Sequence, residues 1–433
     1  MKLLQTIKGK SLVKTGANYS LTATAASVVG MIVSLLNMRW LGPSELGIWQ
    51  SLCVVTAYVP FLQLGIQSQL NIELPILLGR NDLPKVKKYI ATSYYISNIV
   101  TAIIAVLGLT ASIIIWQKGY ALKYVFGIIA LTAVNVGSSI SYHFIARFRS
   151  SMSFDKLTSI IRIQIVVMVL CIPLIYFFGF WGLLMYNAFP GLVYAILMKR
   201  KSPFQEIKAQ FEKNETTYLM TRGIILMLYG QTFTAIKTFQ QMFLLRFGGA
   251  MYVGLFSPAL AIGGIINLLP GQIAQFLVPQ MGYKFGKSSQ AKDLWPFVLR
   301  ILVVMPFAIL PVSIVFYFIL PWLVNTFFPK YIESIQAMQI MSFGFAFSSS
   351  SMVINFLYTL KAYKDAIFII LAEFLSYALL PTFFYKIIGL SILTSLAIGV
   401  SLAYFIIYVT TFIVMRVAIF RPKYNLKTED EKL

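Results

Sequence analysis

The feature that most restricts this chain is the recurrence of apolar stretches about twenty residues long, parted by short polar or basic breaks. At ~1.5 Å rise per residue, about 20 helical residues cross a ~30 Å hydrocarbon core, and a helix satisfies its own backbone there. Twelve such stretches can be read, at approximately 17–40, 44–66, 89–115, 122–145, 157–178, 180–198, 223–248, 251–278, 296–320, 336–360, 366–386 and 389–415. With 58% hydrophobic and only 12% charged residues, the 433-residue chain lacks the polar surface a soluble protein of that size needs. The expected class is an all-α polytopic membrane protein, with about twelve transmembrane helices in two six-helix lobes around a central cavity. The fifth and sixth stretches are the hardest to separate, because only Gly179, Phe180, Trp181 and Gly182 part them.

Basic residues set the orientation, since loops rich in Lys and Arg stay in the cytoplasm. Of 36 Lys and Arg residues, 26 fall on the side carrying both termini, and four (Lys118, Lys123, Lys330 and Lys386) fall on the other. Trp40, Trp49, Trp116, Trp181 and Trp322 cluster at that second, outer side, where interfacial aromatics anchor helices. Both termini are therefore expected in the cytoplasm. The first apolar stretch is too long for the core of a secretory signal, and its small residues Ala23 to Ala26 lie inside the run, so it is expected to be retained.

The same reading divides the chain into an N-terminal lobe (1–198), a cytoplasmic linker (199–222), a C-terminal lobe (223–415) and a cytoplasmic tail (416–433). The segment Gly65 to Pro75 interleaves apolar and polar residues and is expected to lie on the inner membrane face. The net charge of +22 sits mostly between apolar spans and not on a polar surface, so nucleic acid is not an expected partner. Cys53 and Cys171, each within a span, give neither a disulfide framework nor a metal site. Gly282-Tyr283-Lys284-Phe285-Gly286-Lys287-Ser288 has one residue too few between its glycines for a phosphate loop, so no cofactor is expected.

Residues Gly223 to Gly248 hold the most informative polar pattern. Gln231, Thr234, Thr238 and Gln241 follow a 3, 4, 3 spacing that places them on one helical face, with Lys237 in mid-span. A shift of 207 positions puts Thr24, Ser27 and Ser34 in place of Gln231, Thr234 and Gln241, and Gly30 in place of Lys237. In that register Arg39, Gly42 and Gly47 coincide with Arg246, Gly249 and Gly254, which points to an internal duplication.

A charge at helix centre costs about 2.5–3.5 kcal/mol on insertion scales, so Lys237 is expected to face a hydrated cavity together with Gln231, Thr234, Gln241, Thr24 and Ser27. Snorkelling to an interface would require an unusually long reach from mid-span. Glu373 is the one acidic residue deep in an apolar span, and it is read either as an ion-coupling carboxylate or as a structural partner of a nearby Lys, Arg or Tyr. His143 reads as a packed or hydrated side chain in preference to a proton relay. A cavity with more basic than acidic groups favours an anionic or amphiphilic solute.

At Leu41-Gly42-Pro43 followed by Gly47, at Glu73-Leu74-Pro75 with Gly79-Arg80-Asn81-Asp82, and at Tyr331-Ile332-Glu333-Ser334, the chain resembles bacterial polysaccharide flippases. These are the O-antigen and capsule transporters of the multidrug/oligosaccharidyl-lipid/polysaccharide exporter superfamily. The resemblance spans essentially the whole chain. It implies a non-enzymatic flippase moving an undecaprenyl-diphosphate-linked oligosaccharide to the outer leaflet by alternating access, driven by a proton or sodium gradient, in contact with membrane lipid and polysaccharide-assembly proteins. Lys237 is a candidate from this chain's own pattern, because basic positions vary within that family. The rivals are a multidrug exporter of the same fold, for which intramembrane acids are scarce here, and a membrane polysaccharide polymerase or glycosyltransferase, whose large outer loop or paired aspartates are missing. A structural scaffold would not need the polar stripe.

Overall fold

The computed structural model describes residues 9–79, 82–267, 290–360 and 362–422. The end of the eighth expected span, the Gly282 to Ser288 stretch and the last residues of the tail lie outside these. Fourteen α-helices are described: α1 (Gly9–Trp40), α2 (Pro43–Cys53), α3 (Ile66–Gly79), α4 (Leu83–Gln117), α5 (Leu122–Ser150), α6 (Phe154–Phe178), α7 (Phe180–Lys201), α8 (Lys213–Leu255), α9 (Ser257–Asn267), α10 (Trp295–Phe327), α11 (Ile335–Ser348), α12 (Ile354–Thr359), α13 (Tyr363–Lys386) and α14 (Ile392–Ile419). There is no strand among the described residues. Among the described residues, nine spans are long and apolar enough to cross a membrane. A tenth arises if Thr238–Leu255 and Ser257–Asn267, bent by 63°, count as one. The expected span at 336–360 is interrupted, since α11 stops at Ser348 and a 3₁₀ turn at Ser351–Val353 precedes the short α12. The protein is an all-α, multi-pass membrane protein.

The chain forms two compact units, Met1–Leu41 with Ile48–Ala235, and Gly42–Gly47 with Ile236–Leu433. Their boundary falls inside α8, between Ala235 and Ile236, because the first part of that helix packs with the N-terminal helices and the second with the C-terminal ones.

In the first unit α4 packs on α5, α5 on α7, α6 on α7 and α1 on α6. Lipid offers no hydrophobic drive between such helices, so small residues and interhelical hydrogen bonds hold them. The Thr101 hydroxyl bonds to Ser139 Oγ at 3.0 Å, and Ser93 meets His143 at 2.9 Å. The turn between α6 and α7 is a single residue, Gly179, at φ +55°, a conformation that glycine adopts without a side-chain clash. The expected surface segment is instead α3, whose stripe of Ile66, Leu70, Leu74 and Leu77 is buried against α4, α5 and the start of α8. Spacings of four, four and three residues put that stripe on one face, and the protein core, not the membrane surface, receives it.

The second unit is built on α14, which packs against α13 and α11, with α10 beside α11. Ser313 Oγ donates to the Ser342 carbonyl at 2.7 Å, Ser401 Oγ to that of Ile340 at 3.2 Å, and the Tyr408 hydroxyl to that of Leu302 at 3.1 Å. Gly47 and Gly254, matched by the 207-residue register, touch each other within this unit. A Cβ on Gly47 would strike the Ala250 carbonyl oxygen and lie 3.0 Å from Gly254 N; one on Gly254 would strike the Pro43 carbonyl oxygen and lie 2.9 Å from Gly47 N. Pro43 and Ala250 are themselves partners under that register, so the contact is reciprocal.

Candidate functional site

The site residues expected from sequence divide between the two units. Thr24, Ser27, Gln231 and Thr234 belong to the first, and Lys237, Gln241 and Glu373 to the second. On α1, Thr24 is half-buried and Ser27 exposed, its hydroxyl donating to the Ala23 carbonyl at 3.2 Å within the helix. Gln231, Thr234 and Gln241 are half-buried on α8, and Gln231 Oε1 is buried without a hydrogen-bond partner among the described residues. Thr238, between them, is buried. Lys237 stands on α8, and its side chain lies outside the described residues.

Glu373 is brought into a polar cluster that the sequence did not reveal. It is 6% exposed on α13, one turn before Tyr377, and within electrostatic reach of the hydroxyls of Tyr377 and Tyr404. The two phenol rings meet edge to face at 5.8 Å, and the Tyr404 hydroxyl is within hydrogen-bonding reach of Gln240 on α8. Gln240 is 4% exposed, and the Tyr377 hydroxyl is buried with no well-formed hydrogen bond. Three helices therefore converge on one buried carboxyl group whose neighbours are phenols and an amide. Such a group can hold a proton or a small cation in a weakly polar setting, where an isolated carboxylate is expensive.

A second cluster lies at the end of α5 in the first unit. His143 and Arg147, one helical turn apart, are 0% and 1% exposed. Arg147 donates to His143 Nε2 at 2.6 Å, so that nitrogen is the acceptor, and Nδ1–H donates to Ser93 Oγ at 2.9 Å. Ser93 in turn reaches Gln67 Oε1 at 3.4 Å. The guanidinium lies 5.1 Å from the Tyr94 ring centroid and 4.9 Å from that of Phe144, and its other end donates to the Phe204 carbonyl at 3.3 Å. His143 is thus a packed histidine, as read from sequence. Arg147 had counted as one of the basic loop residues. Its i, i+4 spacing from His143 was visible, but the aromatic box around it depends on Tyr94 of another helix. The segment after α7 is docked here too, with Ile207 buried and Gln210 N–H donating to the Ala91 carbonyl at 3.2 Å.

On the same unit Glu73 accepts from Gln69 at 3.1 Å and from the Tyr218 hydroxyl at 2.7 Å. That hydrogen bond, followed by burial, raises the phenol pKa of Tyr218 above its ordinary value. Glu73 thereby ties α3 to the start of α8. Among the described residues no group of three or more His, Cys, Asp or Glu side chains is arranged to hold a metal ion.

Comparison with known proteins gives the family. The model of a family described as polysaccharide biosynthesis protein matches residues 37–336. The chain belongs to that family. Among solved structures it is similar to an inward-facing multidrug-resistance MATE family transporter of the MOP superfamily, with TM-score 0.76, 14% identity, and coverage of 91% of this chain and 94% of that one. It is also similar to the lipid II flippase MurJ in an inward closed conformation, with TM-score 0.71, 10% identity, and coverage of 92% and 87%. A MATE P26A mutant aligns with TM-score 0.68 at 14% identity over 96% of this chain and 99% of that one. No curated protein sequence matches significantly. The fold is the one these transporters share, and the polysaccharide side of the expected resemblance holds at the level of the family.

Proposed function

We propose that this chain is a flippase that translocates undecaprenyl-diphosphate-linked oligosaccharide units across the bacterial cytoplasmic membrane, for O-antigen, capsule or other surface polysaccharide synthesis. One conjunction carries the reading: a polysaccharide-biosynthesis family match on a fold shared with a lipid II flippase. The substrate is a diphosphate anion with a polar head and a long lipid tail. It needs a cationic, hydrated route for the head while the tail stays in the bilayer. Lys237 supplies the mid-span charge, and Gln231, Thr234, Gln241, Thr24 and Ser27 supply hydrogen-bonding groups along α8 and α1. The transport cycle is alternating access, and Glu373 carries the coupling ion, a proton or sodium. Both termini are cytoplasmic, the lobes run 1–198 and 223–415, and assembly proteins for the polysaccharide are the expected partners. The chain is a transporter with neither catalytic residue nor cofactor.

Deletion of the chromosomal gene followed by analysis of lipid-linked glycans tests this directly. The reading expects undecaprenyl-diphosphate-linked oligosaccharide to accumulate while surface polysaccharide falls, both reversed by the intact gene. Unchanged glycans in the deletion strain contradict it. The second reading, a multidrug exporter, is favoured by the multidrug-resistance transporters that share the fold. It expects unchanged glycans with greater sensitivity to cationic drugs.

A further inference from the structure

The cytoplasmic end of the second unit, on the orientation proposed above, carries a formed cleft that neither Lys237 nor the Glu373 cluster uses. It holds about 250 Å³ and is lined by Gln290, Lys292, Ile419, Phe420, Arg421 and Pro422. Two short pieces of chain make it. One is the 3₁₀ turn Ala291–Leu294 that leads into α10, and the other is the last turn of α14 with the residues after it. Ile419, Phe420 and Pro422 give an apolar wall, while Lys292 and Arg421 give a cationic one.

A third cation stands behind the aromatic wall. The Arg416 guanidinium lies 3.8 Å from the Phe420 ring centroid and 5.1 Å from that of Trp295, and these two rings meet edge to face at 6.0 Å. Against Lys292, Arg416 and Arg421 stand two carboxylates. Asp365 bonds Arg421 Nη1 at 2.8 Å, and Asp293 lies in the 3₁₀ turn. The Arg421 side chain is 44% exposed. The apolar lengths of α10 and α14 both end here, so the cleft sits where helices pass from hydrocarbon to headgroups. Trp295 marks that level, as interfacial tryptophans do.

We propose that this cleft binds the phosphate of an anionic lipid headgroup, with Lys292 and Arg421 on the phosphate oxygens and Phe420 and Pro422 against the glycerol or the first carbons of the chain. Basic pockets between helices at the cytoplasmic face recognise lipid phosphate in this way. A free phosphate would leave the apolar wall in contact with water, and a zwitterionic headgroup would bring a second cation towards three already present. The phosphate has two sources in a bacterial membrane, a phospholipid such as phosphatidylglycerol or the polyprenyl carrier itself. The proposal depends on the flippase reading only for the side of the membrane, and its test needs no glycan.

The full chain, purified in detergent and stripped of lipid, is titrated with phosphatidylglycerol, phosphatidylcholine, undecaprenyl phosphate and inorganic phosphate, and bound adducts are counted by native mass spectrometry. One saturable site for phosphatidylglycerol or undecaprenyl phosphate supports the proposal, and whichever binds tighter is the occupant. Each lost cation near a lipid phosphate is worth about 1 kcal/mol, so Lys292→Gln should weaken that site roughly fivefold and Lys292→Gln with Arg421→Gln roughly 25-fold. Lys330→Gln, in the opposite loop, should leave it unchanged. Equal retention of phosphatidylcholine, binding of inorganic phosphate alone, or titrations unaltered in the exposed Lys292→Gln variant each overturn the proposal. The single exposed substitution keeps the test decisive should the double variant fail to elute as a folded peak.

Discussion

Lys237 and Glu373 show what a single residue in an apolar span reveals and what it conceals. Both were visible from sequence because an ionisable group in hydrocarbon is expensive enough to need a reason. The partners were not visible. Tyr377 sits one turn from Glu373, but Tyr404 is on α14 and Gln240 on α8, and their convergence depends on tertiary packing. Gln240 fell outside the expected stripe of Gln231, Thr234, Thr238 and Gln241, so its burial beside a phenol had no signal in the periodicity. Two outcomes are expected at this scale. Lys237→Arg should retain substantial surface polysaccharide, Lys237→Gln should reduce it, and Lys237→Glu should reduce it most at equal membrane abundance, because reversed charge repels the diphosphate. Glu373→Gln should abolish the dependence of transport on an imposed ion gradient while the protein still reaches the membrane. Transport by Glu373→Gln that still follows the gradient would remove this residue from the coupling role.

Among the elements, the motifs behind the family resemblance turn out to shape helices. Leu41-Gly42-Pro43 starts α2, with Leu46 N–H donating to the Gly42 carbonyl at 3.1 Å, and Gly47 then meets Gly254 without room for a side chain. Asp82, ending the Gly79-Arg80-Asn81-Asp82 run, accepts from Lys85 N–H at 3.2 Å and caps α4. Tyr331 is fully buried, and Ser334 donates to the Leu255 carbonyl at the bend between α8 and α9. Such motifs are legible because caps, turns and close contacts each restrict residue type locally. Element lengths were legible too, from apolar run and break. The break at Gly249 (φ +75°) falls between the expected spans 223–248 and 251–278, whereas the interruption at Ser349 and Ser350 was less legible, since hydropathy does not register a change of helix direction. Gly254→Ala should destabilise the detergent-purified protein by ~2 kcal/mol, read as a lower thermal midpoint, because the added methyl meets the Pro43 backbone. Gly30→Ala, with nothing within 4 Å of the added carbon, should leave the midpoint unchanged. Equal midpoints for the two would contradict the close contact.

For the whole molecule, the strongest sequence signals were the ones that depend on sums: total apolar length, the asymmetry of 26 basic residues against four, and the 207-residue register. Arg147 is an instructive exception to simple counting, since it is buried in an aromatic box while adding to the basic side. Reporters fused after Lys199 and at Leu433 should register as cytoplasmic, and one within 322–335 as external. An external signal at Leu433 would overturn that topology. The central claim is that a lipid-linked oligosaccharide crosses the bilayer on this protein, and reconstitution measures it directly. Purified protein is placed in liposomes carrying undecaprenyl-diphosphate-linked oligosaccharide from the native strain, and a membrane-impermeant glycosidase reports which leaflet holds the glycan. The account predicts that, under an imposed ion gradient, glycan initially shielded in the inner leaflet becomes cleavable in vesicles containing the protein and stays protected in those with Lys237→Glu. Equal protection with wild-type protein and with empty liposomes, at verified incorporation and gradient, would contradict it.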